Sequence, residues 1–386
     1  MKPIRLDPEN VSRILICQLR QIGDVLLSTP SAQLLKQAFP QAEVHVFTEK
    51  KCADVLTNNP DIDLIWAVDR SKLTHLGKEI GFYRRVASQG YDLVLDFQQL
   101  PRCRWVVAFS RAKVRLTYPP PWYNRWLYTH WRVQDTGYSA MAKASLLKVL
   151  GIEWQGEKPQ LVLTDKERAE AEGLLQIMGI APGTRLVTVD PTHRRSARRW
   201  PLGHFARFIE MAAQAHPDCR FLVLYGPGEQ QDAEAVLAQV PESAKHACLT
   251  TEKVLPLRTA AAVIEQADLH LGNCSGPRHL AVAVGTPTLI TLGATSWAWT
   301  YPGPGHKALS LGLDCQPCNE NTCPKADPPP CLDGLAPETV LSEFTGLLDE
   351  YGRTNGLGSP RSEKAAWALA GGPEVFSSLV GDSPAE

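Results

Sequence analysis

This 386-residue chain lacks long apolar runs, and no stretch approaches the length needed to cross a bilayer. Its first residues, MKPIRLDPENVSRILICQL, show no basic segment followed by an apolar one, so no signal peptide is expected. A basic excess is also missing: the formal net charge is −1, which argues against a general nucleic-acid binder. No G-x-G-x-x-G follows the first strand pattern, which argues against a dinucleotide-binding first domain. Nor does any internal repeat emerge. The default compartment is then the cytoplasm, where the ten cysteines are expected as thiols or metal ligands.

What is present reads as α/β. Apolar residues make up 44% and charged residues 21%, the balance of a globular protein too long for one ordinary core. Apolar runs Arg13–Leu19, Glu43–Thr48, Leu64–Val68 and Asp92–Phe97 alternate with helical patterns at Val25–Ala38, Lys51–Asn58 and Ser71–Ser88. Such alternation predicts a parallel, doubly wound sheet. An irregular aromatic and basic loop, YPPPWYNRWLYTHWR (Tyr118–Arg132), and a helix over Tyr138–Leu150 follow. The boundary is expected near residue 160, giving a first domain over 1–160 and a second over 161–351. The Gly-, Ser-, Pro- and Ala-rich remainder, 352–386, reads as a mobile tail.

In the second domain the organising stretch is LHLGNCSGPRHLAVAVGTPTLIT (Leu269–Thr291): strand, polar turn, small-residue helix, strand. Its turn gathers backbone N–H groups at a helix N-terminus, where an anion is favoured, and His279 follows Ser275 by one helical turn. The loop DPTHRRSARRWP (Asp190–Pro201) holds Arg194, Arg195, Arg198 and Arg199 between a strand and a helix. Guanidinium forks there suit a diphosphate; the alternative is a solvated rim. Glu229, after a Gly-Pro-Gly turn, is either a ribose-binding acid or an ordinary acid favoured by a helix N-terminus. Asp24 is open to that same bland reading or to a general base. The aromatic loop suits sugar stacking, a membrane surface or an interdomain cover. Basic residues Arg102, Arg104, Arg111, Lys113 and Arg115 can serve an anionic acceptor. Cys315, Cys318, Cys323 and Cys331, spaced C-x2-C-x4-C-x7-C within a Pro-rich loop at 315–331, read as a structural zinc or other metal site, or as simple thiols.

Together these stretches resemble the heptosyltransferase family, which builds the inner core of lipopolysaccharide. The resemblance rests on LICQLRQIGDVLLSTP (Leu15–Pro30), RRWPLGHFARF (Arg198–Phe208) and LGNCSGPRHLAVAVGTPTL (Leu271–Leu289). The cysteine loop, followed by Pro337-Glu338-Thr339-Val340, adds to it. IGDVLLSTP and Asn59–Arg70 look most like the heptosyltransferase III type. The resemblance implies a GT-B fold of two Rossmann-like, doubly wound domains facing a central cleft. It implies an inverting glycosyltransferase that needs no metal on the diphosphate. The donor, ADP-heptose, would be held by Arg194, Arg198, Glu229, Asn273, Ser275, Gly276 and His279. Asp24 would be the base. A lipid A-core acceptor at the inner membrane face would meet Gly23, Arg102, Arg104, Trp122 and Arg125. One position departs from the family pattern: Cys274 stands where an aspartate is usual, and a thiol accepts hydrogen bonds only weakly. That leaves open another nucleotide sugar, or a non-catalytic nucleotide- or glycan-binding paralogue.

Overall fold

The computed structural model describes residues 4–381. Two compact units divide between Val162 and Leu163. In the first, six parallel strands run β1 (Arg13–Cys17), β2 (Glu43–Glu49), β3 (Leu64–Val68), β4 (Leu93–Asp96), β5 (Val114–Thr117) and β6 (His130–Trp131), in the spatial order β3-β2-β1-β4-β5-β6. The second repeats this plan with β7 (Arg185–Asp190), β8 (Cys219–Val223), β9 (Cys248–Thr250), β10 (Leu269–Asn273), β11 (Thr288–Thr291) and β12 (His306–Leu309), ordered β12-β11-β10-β7-β8-β9.

Sheets covered on both faces need strands that are apolar on both sides. Ile14–Cys17 and all of β10 are buried accordingly. The helix Leu202–Ala215 shows the matching period: Phe205, Phe208, Ile209 and Ala212 fall on one buried stripe. Phe208 meets Phe221 and Phe344 edge-on in the core of the second unit. In each sheet the winding reverses between the two central strands, β1/β4 and β7/β10. A crevice opens there beyond the strands' carboxyl ends, where ligands bind in doubly wound sheets.

Some elements differ from their sequence patterns. The helical pattern over Val25–Ala38 is two helices, Ile22–Leu26 and Thr29–Ala38, because Pro30 has no N–H to continue the first ladder and sits in the first turn of the second. The aromatic loop contains a 3-10 helix, Trp122–Leu127, and the short β6. The segment after residue 351, expected as a mobile tail, is packed across 352–370. Arg353 donates to the carbonyls of Gln266 and Glu265 at 3.0 and 2.8 Å, and Arg361 to those of Ala267 and Tyr351 at 2.7 and 2.6 Å. The helix Glu363–Ala370 buries Ala365, Ala368 and Leu369 in the second unit's core. Two arginines and a short apolar stripe outweigh the loop-like composition.

Ending the chain at Tyr351 should therefore destabilise the second unit by about 3 kcal/mol or more, since buried side chains and charge-assisted bonds are both lost. Denaturant unfolding reads this directly, and an unchanged midpoint would contradict the packed arrangement.

Candidate functional site

The second unit's site forms at the β7/β10 reversal. β7 ends in Asp190, whose carboxylate is wholly buried. It accepts from the hydroxyl of Ser275, the residue that opens the helix Gly276–Val284, and from the hydroxyl of Thr192 at 2.9 Å. Thr192 Oγ1 also lies 2.9 Å from Glu229 Oε2, and the N–H of Gly226 donates to that oxygen at 3.1 Å. A Cβ at Gly226 would stand 2.7 Å from the same oxygen, so a larger residue there would push the Glu229 carboxylate out of this bond. Gly272 meets a similar demand: a Cβ there would lie 2.9 Å from the Asp190 carbonyl. Three βα turns are thus bound to one another through Asp190, Thr192 and Glu229. Glu229 Oε1 remains turned toward Arg194, 3.8 Å away.

The arginine loop divides by use. Arg199 is paired with Asp232 at 2.9 Å, whereas Arg194 and Arg195 are exposed. Arg198 is half-buried beside Cys274, and its Nε is buried without a partner. Its charge stands beside Cys274, next to Ser275, and the charge of Arg195 is close to it. His193 bridges the two stretches: its Nδ1 accepts from Arg195 N at 2.9 Å, and its ring also bonds the Cys274 backbone. Burial first, then Arg198, pushes its pKa down to about 4, so it is neutral. His279 is likewise held well below the usual range by burial and Arg278, and packs edge-on to Trp299.

Asn273, expected at the donor, is engaged within the fold. It is fully buried, accepts from Trp200 N at 2.8 Å and Thr291 Oγ1 at 3.2 Å, and donates to Thr192 O at 3.4 Å. It bolts the arginine loop to β10. Cys274 is also engaged, accepting from the buried guanidinium of Arg278 at 3.1 Å, while Arg278 reaches Thr300 Oγ1 at 2.8 Å.

In the first unit, β1 leads through Gln18 into the turn that sets Gly23 and Asp24 in the first turn of Ile22–Leu26. The Asp24 Oδ1 lies 3.1 Å from Lys143 Nζ. Lys143 is buried, bonds Gln18 Oε1 at 3.2 Å, and stands over the Phe97 ring. The Tyr118 hydroxyl, raised in pKa by burial and by the charges of Asp24 and Asp96, lies nearby. Gln98, at the end of β4, fixes the turn by accepting from Leu19 N at 2.9 Å. The expected acceptor residues are not gathered here. Arg102 turns to Glu49 at 3.6 Å, Arg104 has a buried Nε without a partner, and Trp122 and Arg125 are exposed on the 3-10 helix.

The four loop cysteines line one cavity of about 50 Å³, together with Ala197, Ala294 and Pro330. Among the described residues, however, no three His, Cys, Asp or Glu side chains are grouped to hold a metal ion. The spacing leaves a metal site and simple thiols open; Cys315 and Cys318 face solvent while Cys331 is buried at the start of Pro330–Asp333.

Lys143, Asp190, Thr192, His193 and Arg278 were missed by sequence reasoning. Asp190 and Thr192 were visible as an acid and a hydroxyl at a strand's end, beside the arginines. Nothing local marks Lys143, which meets Asp24 only through the fold.

Glycosyltransferase family 9 (heptosyltransferase) matches residues 80–327. Lipopolysaccharide heptosyltransferase 3 of Escherichia coli is 24% identical over 297 residues, 74% of this chain and 84% of that protein. Lipooligosaccharide heptosyltransferase 2 of Campylobacter jejuni is 22% identical over 339 residues, 85% and 95% respectively. These two types match almost equally, so similarity does not single out the type III enzyme. The solved structure of E. coli heptosyltransferase WaaC with ADP superposes with a TM-score of 0.66 at 16% identity, covering 87% of this chain and 99% of that one. The two six-stranded parallel sheets are thus those of a GT-B-like fold.

Asp190 carries a pH signature. Burial, and secondarily Glu229, raise its carboxyl to about 7. The folded state therefore binds a proton that the unfolded state has released between about pH 4 and 7, and stability falls as pH rises through that window. Compared with Asp190→Asn, the wild type should lose on the order of a few kcal/mol across this range. Parallel stability curves for the two proteins would contradict the assignment.

Proposed function

The chain belongs to glycosyltransferase family 9 (heptosyltransferase), and from that membership we propose inverting transfer of heptose from ADP-heptose to the inner core of lipopolysaccharide. The observation that carries the donor half is the convergence of Arg198, Ser275 and Glu229 at the β7/β10 reversal. A nucleoside diphosphate sugar needs cations and N–H groups at its phosphates and an acid at its ribose hydroxyls, and these residues offer both. The ADP bound by WaaC supports the same base here. Gly276 and the N-terminus of Gly276–Val284 take the phosphates with Arg194 and Arg198. Glu229 Oε1 takes the ribose. His279, neutral and buried, shapes the wall behind Ser275 rather than adding charge.

In the transfer step the acceptor hydroxyl forms a bond to the anomeric carbon as the bond from that carbon to the ADP oxygen breaks. The acceptor's proton passes to Asp24, and ADP leaves with the negative charge that the arginines stabilise. Lys143 orients Asp24 for this role. The reading assigns no metal to the diphosphate. The acceptor is a lipid-anchored core saccharide, so the enzyme works at a membrane face; of the residues expected to meet it, Gly23 adjoins Asp24, while Arg102, Arg104, Trp122 and Arg125 are not gathered there. No helix among the described residues is long and apolar enough to cross a membrane.

A second reading keeps the fold and changes the sugar. Cys274 is occupied by Arg278 rather than turned to a ligand, and it is a weak acceptor for sugar hydroxyls.

Asp24→Asn should lower turnover by roughly 10²–10⁴ while ADP binding is unchanged. Arg198→Ala should weaken ADP binding by about tenfold or more. Undiminished transfer by the Asp24 variant, or a product that retains the donor's anomeric configuration, would overturn the mechanism.

A further inference from the structure

Between Asp96 and Asp135 the chain carries no acidic residue and seven basic ones: Arg102, Arg104, Arg111, Lys113, Arg115, Arg125 and Arg132. In a protein of net charge −1, such a stretch is a local excess. Four of the ten tryptophans, Trp105, Trp122, Trp126 and Trp131, fall in the same interval.

The structure separates what these residues do. The 3-10 helix Trp122–Leu127 turns Asn124 and Leu127 inward, and Leu127 and Tyr128 join the core with Cys103, Val106 and Val107. That anchoring faces the remaining rings outward: Trp122 is 80% exposed, Trp126 72% and Tyr123 55%. Trp122 touches Tyr123 edge-on, and Trp126 spends its N–H on the Tyr123 carbonyl at 3.0 Å, so the turn is held without burying the rings. Arg125 falls between them in sequence and is exposed, its guanidinium 5.7 Å from the Trp131 ring centre, and Arg111 and Lys113 are exposed before β5. Burying an indole is among the larger apolar gains open to a protein, yet two from a single turn are left in water. A sugar-stacking platform would offer a face beside other walls, whereas rings this exposed project from the surface.

We propose that this turn and its basic flank form a docking surface for an anionic lipid bilayer. Indole and phenol rings favour the headgroup layer, and guanidinium and ammonium groups each gain from anionic lipid at the surface. Arg102 and Arg132 are paired with Glu49 and Asp135, which leaves Arg111, Lys113 and Arg125 as the exposed charges of the stretch. The proposal adds a surface to the transfer reading but is carried by these residues alone, and it is tested without donor or acceptor.

The test is co-sedimentation of the full chain with vesicles of three parts phosphatidylethanolamine to one part phosphatidylglycerol, against phosphatidylcholine vesicles. Binding to the anionic vesicles, a blue-shifted tryptophan emission and loss of both at high salt are expected. A Trp122→Ser/Trp126→Ser variant should lose binding at least tenfold with an unchanged unfolding midpoint. Trp367→Ser, which removes an exposed tryptophan from Glu363–Ala370, should keep it. No binding at low salt, equal binding to phosphatidylcholine, equal losses in the two variants, or a self-association abolished by the double variant without vesicle binding would each overturn the proposal.

Discussion

Asp190 is buried at the carboxyl end of β7 with no cation in ion-pair distance among the described residues, and the turns of the second unit's site hang from it. It accepts from the hydroxyl of Ser275 and lies in hydrogen-bond reach of Thr192, whose single hydroxyl proton can go to Glu229 when Asp190 carries a proton of its own. A buried carboxyl without counter-charge is stable only if hydrogen bonds or a proton satisfy it, and here both operate. The consequence is positional. Residues from β7, β8 and β10, distant in sequence, are held around one crevice, and the Asn273–Trp200 bond fixes the arginine loop to the same strand ends. Removing this network would leave each turn free to move by the ångström or so that separates binding from misplacement.

The charge at the site is arginine's. His193 and His279 are both neutral through burial beside guanidinium groups, so neither competes with Arg195 and Arg198 for a diphosphate, and the site's positive charge does not titrate near neutral pH. The first unit solves a different problem. Lys143 is buried with Asp24 as its one carboxylate partner among the described residues, which ties that carboxylate's geometry to the helix Ser139–Ala144 rather than to its own short helix. Asp24 therefore stays fixed although its own helix spans five residues.

Much of this was legible from sequence because doubly wound sheets write their strands as continuous apolar runs and place polar turns after them. Leu64–Val68 and the strand-turn-helix around Ser275 were read from that pattern. So were the arginine loop and Glu229. The rest was hidden for physical reasons. Asn273 ends an apolar strand and precedes Cys274 and Ser275, so it reads as a ligand contact from sequence; its bond to the Trp200 backbone, distant in sequence, had no local signal. The cysteine spacing leaves a metal site and simple thiols open, because spacing alone does not say how the four sulfurs stand to one another. Glycine and serine content suggested a loose tail, whereas Arg353 and Arg361 bind carbonyls at the end of an adjacent helix and the start of β10. Lys143 had no local signal, since its partner lies across the first unit in sequence.

Transfer as proposed requires that the second unit hold an adenosine diphosphate sugar. Thermal unfolding of the full chain with equal concentrations of ADP, UDP, GDP, CDP and ADP-heptose tests it directly, because a ligand that binds only the folded protein stabilises it by RT ln(1 + [L]/Kd). A rise in the midpoint for ADP, larger for ADP-heptose and absent for the others, is the predicted result. A shift confined to another nucleotide, or no shift with any of them, would contradict the claim.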